Sequence, residues 1–141
     1  YDCPEFLDGV SVAERLDLPR EQVFKTLVTF GKSGGHYVFV LPVAAELDRK
    51  KAAAAVGEKS LDLLPLKELF PLTGYVRGGC TAIGMKKRFP TVIDSSAKNF
   101  TFLYVSGGKL GLQLRLNPED LRRACEGKFA DLTLAKKEPG A

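Results

Sequence analysis

The stretch V-F-K-T-L-V-T-F-G-K-S-G-G-H-Y-V-F-V-L, Val23 to Leu41, decides the fold. Two runs rich in β-branched and aromatic residues flank a cluster of glycines. Residues 23–30 and 37–41 are therefore predicted as the two strands of a hairpin, with residues 31–35 as its turn. His36, the only histidine in the chain, follows Gly34 and Gly35 and is expected at the turn, exposed to water.

Working outward, S-V-A-E-R-L-D-L at residues 11–18 reads as a short helix that Ser11 caps, with Glu14 three positions on, and that Pro19 stops. Beyond the hairpin, Asp48 caps the alanine-rich D-R-K-K-A-A-A-A-V, which Gly57 closes. Residues 65–70 form another short helix, and residues 91–93 and 101–105 read as strands. Gly107 and Gly108 turn the chain into L-G-L-Q-L-R-L, where Leu110, Leu112, Leu114 and Leu116 share one face. Asn117 caps P-E-D-L-R-R-A-C, with Pro118 at the first helical position and Gly127 at the end. Residues 129–134 are a last strand. Short strands interrupted by short helices predict a mixed α+β domain: one barrel-like sheet surrounded by helices, spanning residues 1–141.

Composition bounds the rest. A chain of 141 residues supports one core, and 45% apolar with 27% charged residues is ordinary for a soluble domain. No uncharged stretch approaches the ~20 residues of a membrane span, and no signal-peptide pattern is present. Three cysteines, Cys3, Cys80 and Cys125, without C-x-x-C spacing fit a reducing compartment. A cytoplasmic protein that uses no membrane is expected.

The net charge of +4 is concentrated. The segment T-G-Y-V-R-G-G-C-T-A-I-G-M-K-K, Thr73 to Lys87, continues into Arg88, and holds Arg77, Lys86, Lys87 and Arg88 with no acid. Gly78, Gly79 and Gly84 leave backbone N–H groups bare among those cations, an arrangement suited to an anionic or phosphate-bearing ligand. The competing reading is a mobile loop with solvated flanks. Neither the P-loop nor the dinucleotide glycine spacing is present.

Few residues carry obvious chemistry. His36 at a turn is a poor base for a Ser-His or Cys-His enzyme, and scattered cysteines lack metal-ligand spacing, so no metal or cofactor is expected. Cys80 reads as a packed small residue or as a thiolate near Arg and Lys. Lys25 shares a strand face with Val23 and Leu27, while Phe24, Thr26 and Val28 take the other. A lysine in that setting stands at a wet edge, or in a pocket where an anion offsets its burial.

Taken in order, V-F-K-T-L, T-G-Y-V-R-G-G-C-T-A-I-G-M-K-K, F-P-T-V-I-D and Y-V-S-G-G-K-L-G resemble the YbaK family, freestanding relatives of the editing (insertion) domain of prolyl-tRNA synthetase. The resemblance runs from Tyr1 to about Leu134. It implies a barrel-like mixed sheet wrapped by helices, and trans-editing: hydrolysis of mischarged aminoacyl-tRNA(Pro), chiefly Cys-tRNA(Pro). Carried over by position, the family's essential lysine matches Lys25, with Thr26 beside it. The pocket glycines match Gly78 and Gly79, the pocket serine Ser106, and a site tyrosine Tyr1. Where many members have Ser-Pro after the paired glycines and one further residue, this chain has Thr81-Ala82, which leaves the amino-acid preference open.

The same resemblance implies substrate-assisted cleavage, in which the cysteinyl thiol attacks its own ester and the protein supplies positioning. On that reading the Gly78 and Gly79 N–H groups hold the carbonyl as charge develops. Lys25 anchors the terminal ribose-phosphate, Thr26 and Ser106 orient the substrate, and Arg77, Lys86, Lys87 and Arg88 meet acceptor-stem phosphates. The expected partners are aminoacyl-tRNA(Pro) and, as a candidate, prolyl-tRNA synthetase, with no DNA. Two rival readings stand beside it: a deacylase for another small amino acid using activated water, and a non-catalytic module that binds tRNA or nucleotide.

Overall fold

A computed structural model describes residues 20–65, 67–68, 89–106 and 113–134. Strands β1 (Phe24–Gly31) and β2 (His36–Pro42) pair antiparallel from Phe24 opposite Pro42 to Phe30 opposite His36, which is the expected hairpin. The glycine turn closes through Gly34 N–H to the Gly31 carbonyl at 2.9 Å. His36 is the first residue of β2 and not a turn residue. It is half-buried, with its ring 5.6 Å from that of Phe89.

Helix α1 (Arg49–Val56) begins at Asp48, whose carboxylate accepts from the Lys50 and Lys51 N–H groups, and ends at left-handed Gly57 with φ 75°. It leads into the short strand β3 (Leu61–Leu63), antiparallel to the far end of β1. Strand β4 (Thr91–Asp94) lies parallel to β2, and β7 (Lys128–Ala130) lies parallel to β4. The main sheet therefore has the order β3-β1-β2-β4-β7. Beyond the β1–β2 hairpin its strands β2, β4 and β7 are joined by crossovers, where mostly hairpin connections were expected, because parallel neighbours require a long connection. Strands β5 (Leu103–Ser106) and β6 (Gln113–Leu116) make a separate antiparallel hairpin.

The α+β class is as expected, but the sheet is not closed into a barrel. Among the described residues its edges are the three-residue strands β3 and β7, with no pairing between them.

Two apolar clusters explain why the centre of the sheet reads as an unbroken hydrophobic run. Phe39, Leu41 and Val92 pack one face against Ala52 and Ala53 of α1 and against Leu61 and Leu132. Phe24, Val40 and Ile93 pack the other against Leu103 and Val105 of β5 and against Leu121 of helix α2 (Pro118–Cys125). A strand buried on both faces has no polar side to show. Each of these large side chains contributes on the order of 1.5–3 kcal/mol by leaving water.

Leu114 and Leu116, two residues apart on β6, share a face as their spacing predicted, but are not equally buried. Leu114 is exposed, while Leu116 is half-buried against the β5 cluster. Leu110 and Leu112 lie outside the described residues, as do the helix predicted at 11–18 and residues 66, 69 and 70 of that predicted at 65–70.

Helix α2 starts as predicted, with Asn117 Oδ1 accepting from the Glu119 N–H at 2.8 Å and Pro118 following. Its end differs: the left-handed residue is Glu126, at φ 53°, and not Gly127. Gly127 serves proximity instead, because a Cβ there would stand 3.1 Å from the Thr91 carbonyl of β4.

Candidate active site

Lys25 is the second residue of β1, opposite Leu41 of β2. The chain after β2 folds back over it, fixed by the Val43 N–H to the Val23 carbonyl at 2.8 Å and the Ala45 N–H to the Pro42 carbonyl at 3.0 Å. That turn presents two carbonyls to the lysine. Its Nζ donates to Ala45 O at 2.8 Å and to Val43 O at 3.4 Å. An ammonium has three N–H donors, and among the described residues two are taken by backbone carbonyls.

The geometry falls between the two alternatives left open by the sequence. Lys25 is half-buried, not at a wet edge, and among the described residues its hydrogen bonds go to carbonyl dipoles, with the Glu46 carboxylate acting only through its charge. Burial lowers its pKa below the ordinary lysine value, and the charge of Glu46 opposes this in part.

Thr26 follows, half-buried and opposite Val40, so its side chain points to the other face of the sheet. Ser106 is buried at the end of β5. A parallel bridge joins Val23 to Tyr104, setting the start of β1 alongside β5. Lys25 and Ser106 each stand two residues beyond that bridge, at the same level on neighbouring strands.

A cavity of about 320 Å³ opens where the parallel strands β2 and β4 end, lined by Glu21, Pro42, Ala45, Asp94, Phe100 and Thr133 among others. The carboxyl ends of parallel strands are where ligands enter open α/β sheets. Ala45 connects the two features, since it lines the cavity and its carbonyl holds Lys25. Asp94 gives the cavity a fixed wall. Its carboxylate is buried and accepts from the Ser96 N–H at 3.2 Å, the Ser96 hydroxyl, and the Leu132 N–H at 2.9 Å, which lies 38 residues away.

Tyr1, Arg77, Gly78, Gly79, Lys86, Lys87 and Arg88 all lie outside the described residues, together with Cys80, Thr81 and Ala82. Among the described residues no three His, Cys, Asp or Glu side chains stand close enough to hold a metal ion, and no helix is long and apolar enough to cross a membrane.

Residues 4–124 match the family described as the aminoacyl-tRNA editing domain. The chain belongs to that family. Its editing domain is 46% identical over 129 residues to the Enterococcus faecalis (strain ATCC 700802 / V583) protein named "Putative Cys-tRNA(Pro)/Cys-tRNA(Cys) deacylase EbsC", covering 92% of this chain and 79% of that one. Among solved structures, one described as "a putative trans-editing enzyme for prolyl tRNA synthetase" aligns with a TM-score of 0.87 at 25% identity, over 96% of this editing domain and 85% of the other chain. A second, described as hypothetical protein APE2540, has the same fold, with a TM-score of 0.86 at 24% identity over 95% and 89% of the two chains. An enzyme of this family cleaves the ester between an amino acid and its tRNA.

Three features of the editing domain's site escape sequence reading: the Val43 and Ala45 carbonyls, Glu46 near Lys25, and the Asp94 wall. Backbone carbonyls leave no trace in residue type. Asp94 did leave one, since an aspartate ending a β-rich run ahead of Ser95 and Ser96 is the composition of a capped turn.

Proposed function

We propose that this chain is a trans-editing deacylase that removes cysteine from mischarged Cys-tRNA(Pro). The observation that carries the reading is Lys25, a half-buried ammonium fixed by two carbonyls beside a cavity, with no third hydrogen-bond partner among the described residues. A point charge held in that way suits the phosphate or ribose oxygens of a terminal nucleotide. The relative named for both Cys-tRNA(Pro) and Cys-tRNA(Cys) supports a site that reads the cysteinyl ester rather than the body of the tRNA.

Chemically, the substrate's thiol sulfur attacks the carbonyl carbon of its own ester. The C–S bond forms, the C–O bond to the ribose breaks, and the thiol proton ends on the departing ribose hydroxyl. The thiolactone so released is opened by water. Gly78 and Gly79 N–H groups stabilise the oxyanion, Lys25 holds the nucleotide, and Ser106, with Thr26 and Tyr1, orients the ester. Arg77, Lys86, Lys87 and Arg88 meet acceptor-stem phosphates, and prolyl-tRNA synthetase is the candidate that delivers the tRNA.

The test is to incubate the protein with Cys-, Ala- and Ser-tRNA(Pro) and follow loss of each ester. Selective loss of the cysteinyl ester supports the reading. Preference for Ala-tRNA(Pro) would favour the water-using deacylase, and no turnover on any ester would leave a binding module.

A further inference from the structure

We propose that the surface running from Phe102 and Arg115 to the groove beside Lys98 binds the single-stranded 3′ end of an RNA. The proposal rests on the deacylase reading for what that RNA carries, and on the following geometry for where it lies.

Phe102 is 40% exposed, large for an aromatic side chain, and the Arg115 guanidinium sits 4.4 Å from its ring centroid. The backbone beneath is pinned, with the Phe102 carbonyl accepting from Gln22 Nε2 at 3.1 Å and the Thr101 carbonyl from Asn117 Nδ2 at 3.3 Å. Asn117 continues the surface into a groove of about 400 Å³ that also includes Lys98, Phe100, Glu119, Arg122 and Phe129. There the Lys98 ammonium lies 5.1 Å from the Phe129 ring centroid. Glu119 pairs with Arg122 and its carboxylate also feels the charge of Lys98, whereas Arg115 forms no ion pair among the described residues, so three cations face one carboxylate and the strip is net positive.

Aromatic rings interleaved with cations are what a single-stranded nucleic acid needs. Its bases stack on rings and guanidinium planes while its phosphates meet the charges. A double helix could use only the charges, because its base faces are already stacked. The path also leads to the right place. Phe100 lines both this groove and the cavity whose Ala45 holds Lys25, so a strand lying along Phe102 and Phe100 brings its end to the candidate site.

The experiment titrates the protein with a fluorescent single-stranded RNA ending in C-C-A, at several salt concentrations, and measures cleavage of Cys-tRNA(Pro) alongside. Phe102→Ala, Arg115→Ala and Lys98→Ala are compared with wild type and with Lys50→Ala, an exposed cation on α1 far along the chain from the strip. Each strip variant should bind the RNA about tenfold more weakly, the scale of one lost base stack. Arg115→Ala and Lys98→Ala should also flatten the dependence of log K on log salt by about one charge. Half-maximal cleavage should need correspondingly more tRNA. Phe102 and Arg115 are exposed, and circular dichroism verifies that each variant folds. Strip variants that bind the RNA as wild type does overturn the proposal, even if the wild-type protein cleaves the ester. A wild-type protein that binds the RNA through these residues and cleaves no ester overturns the deacylase reading instead.

Discussion

The Lys25 ammonium and the Ala45 carbonyl lie 2.8 Å apart, so the lysine of strand β1 is aimed by backbone and not by a carboxylate. A carbonyl dipole orients a cation without cancelling its charge, and the field of Lys25 stays available to an anionic ligand. Val43 adds a second carbonyl at 3.4 Å, and burial raises the cost of leaving the charge unmatched.

Lys25→Ala is expected to lower deacylation of Cys-tRNA(Pro) by about two orders of magnitude, the scale of a lost transition-state contact. The fold should survive, since the lysine's partners are carbonyls that water can satisfy in its place. Single-turnover rates measured on protein verified by circular dichroism decide this. Wild-type rates from the folded variant would remove Lys25 from the mechanism.

The lowered pKa of Lys25 has a definite sign. Between its folded pKa and the ordinary lysine value the unfolded chain binds more protons than the native one, so this group makes stability rise with pH through that window. Activity should do the reverse, falling as the ammonium loses its proton below the pH at which an exposed lysine would. Lys25→Arg should move that fall in rate to higher pH. A rate profile flat through the alkaline range would show that the charge on Lys25 is not used.

Asp94→Ala should destabilise the fold by about 3 kcal/mol, because it strands the buried Leu132 N–H and the Ser96 N–H that a charged acceptor now satisfies. Urea denaturation measures it directly. A loss under 0.5 kcal/mol, on the scale of ordinary surface substitutions, would mean that the bracket between β4 and the chain after β7 carries little.

Gly127→Ala tests whether the end of α2 needs glycine for room. An added Cβ meets the Thr91 carbonyl and the Cys125 sulfur, each at 3.1 Å, so a cost of roughly 1–3 kcal/mol is expected from overpacking. A neutral thermal midpoint would show that α2 can shift away from β4 freely.

The legible parts of the fold were those written in local chemistry. The hairpin announced itself through two β-rich runs and a glycine turn, and α1 and α2 through Asp48, Asn117 and Gly57. What stayed hidden was long-range. The parallel pairing of β2 with β4, and of β4 with β7, joins segments dozens of residues apart and depends on burying both faces of the sheet, which no local pattern encodes. Gly127 was read only as the residue that ends α2, and its need for room beside the Thr91 carbonyl could not be seen, because a glycine looks the same in either role. Of the site, Lys25 was legible as an oddity among apolar neighbours, whereas the carbonyls that hold it and the Asp94 wall arise only once the chain has folded back over β1.

The most direct measurement of the central claim compares single-turnover cleavage of Cys-tRNA(Pro) and Ser-tRNA(Pro). The two esters are nearly isosteric, so a site that supplies positioning should bind both about equally. A hydroxyl is a far weaker nucleophile at neutral pH than a thiol, a few per cent of which is thiolate. Discrimination should therefore appear in the rate constant and not in binding. Rapid loss of the cysteinyl ester with the seryl ester almost untouched is the predicted result, and comparable rates on the two would contradict it, making water the nucleophile.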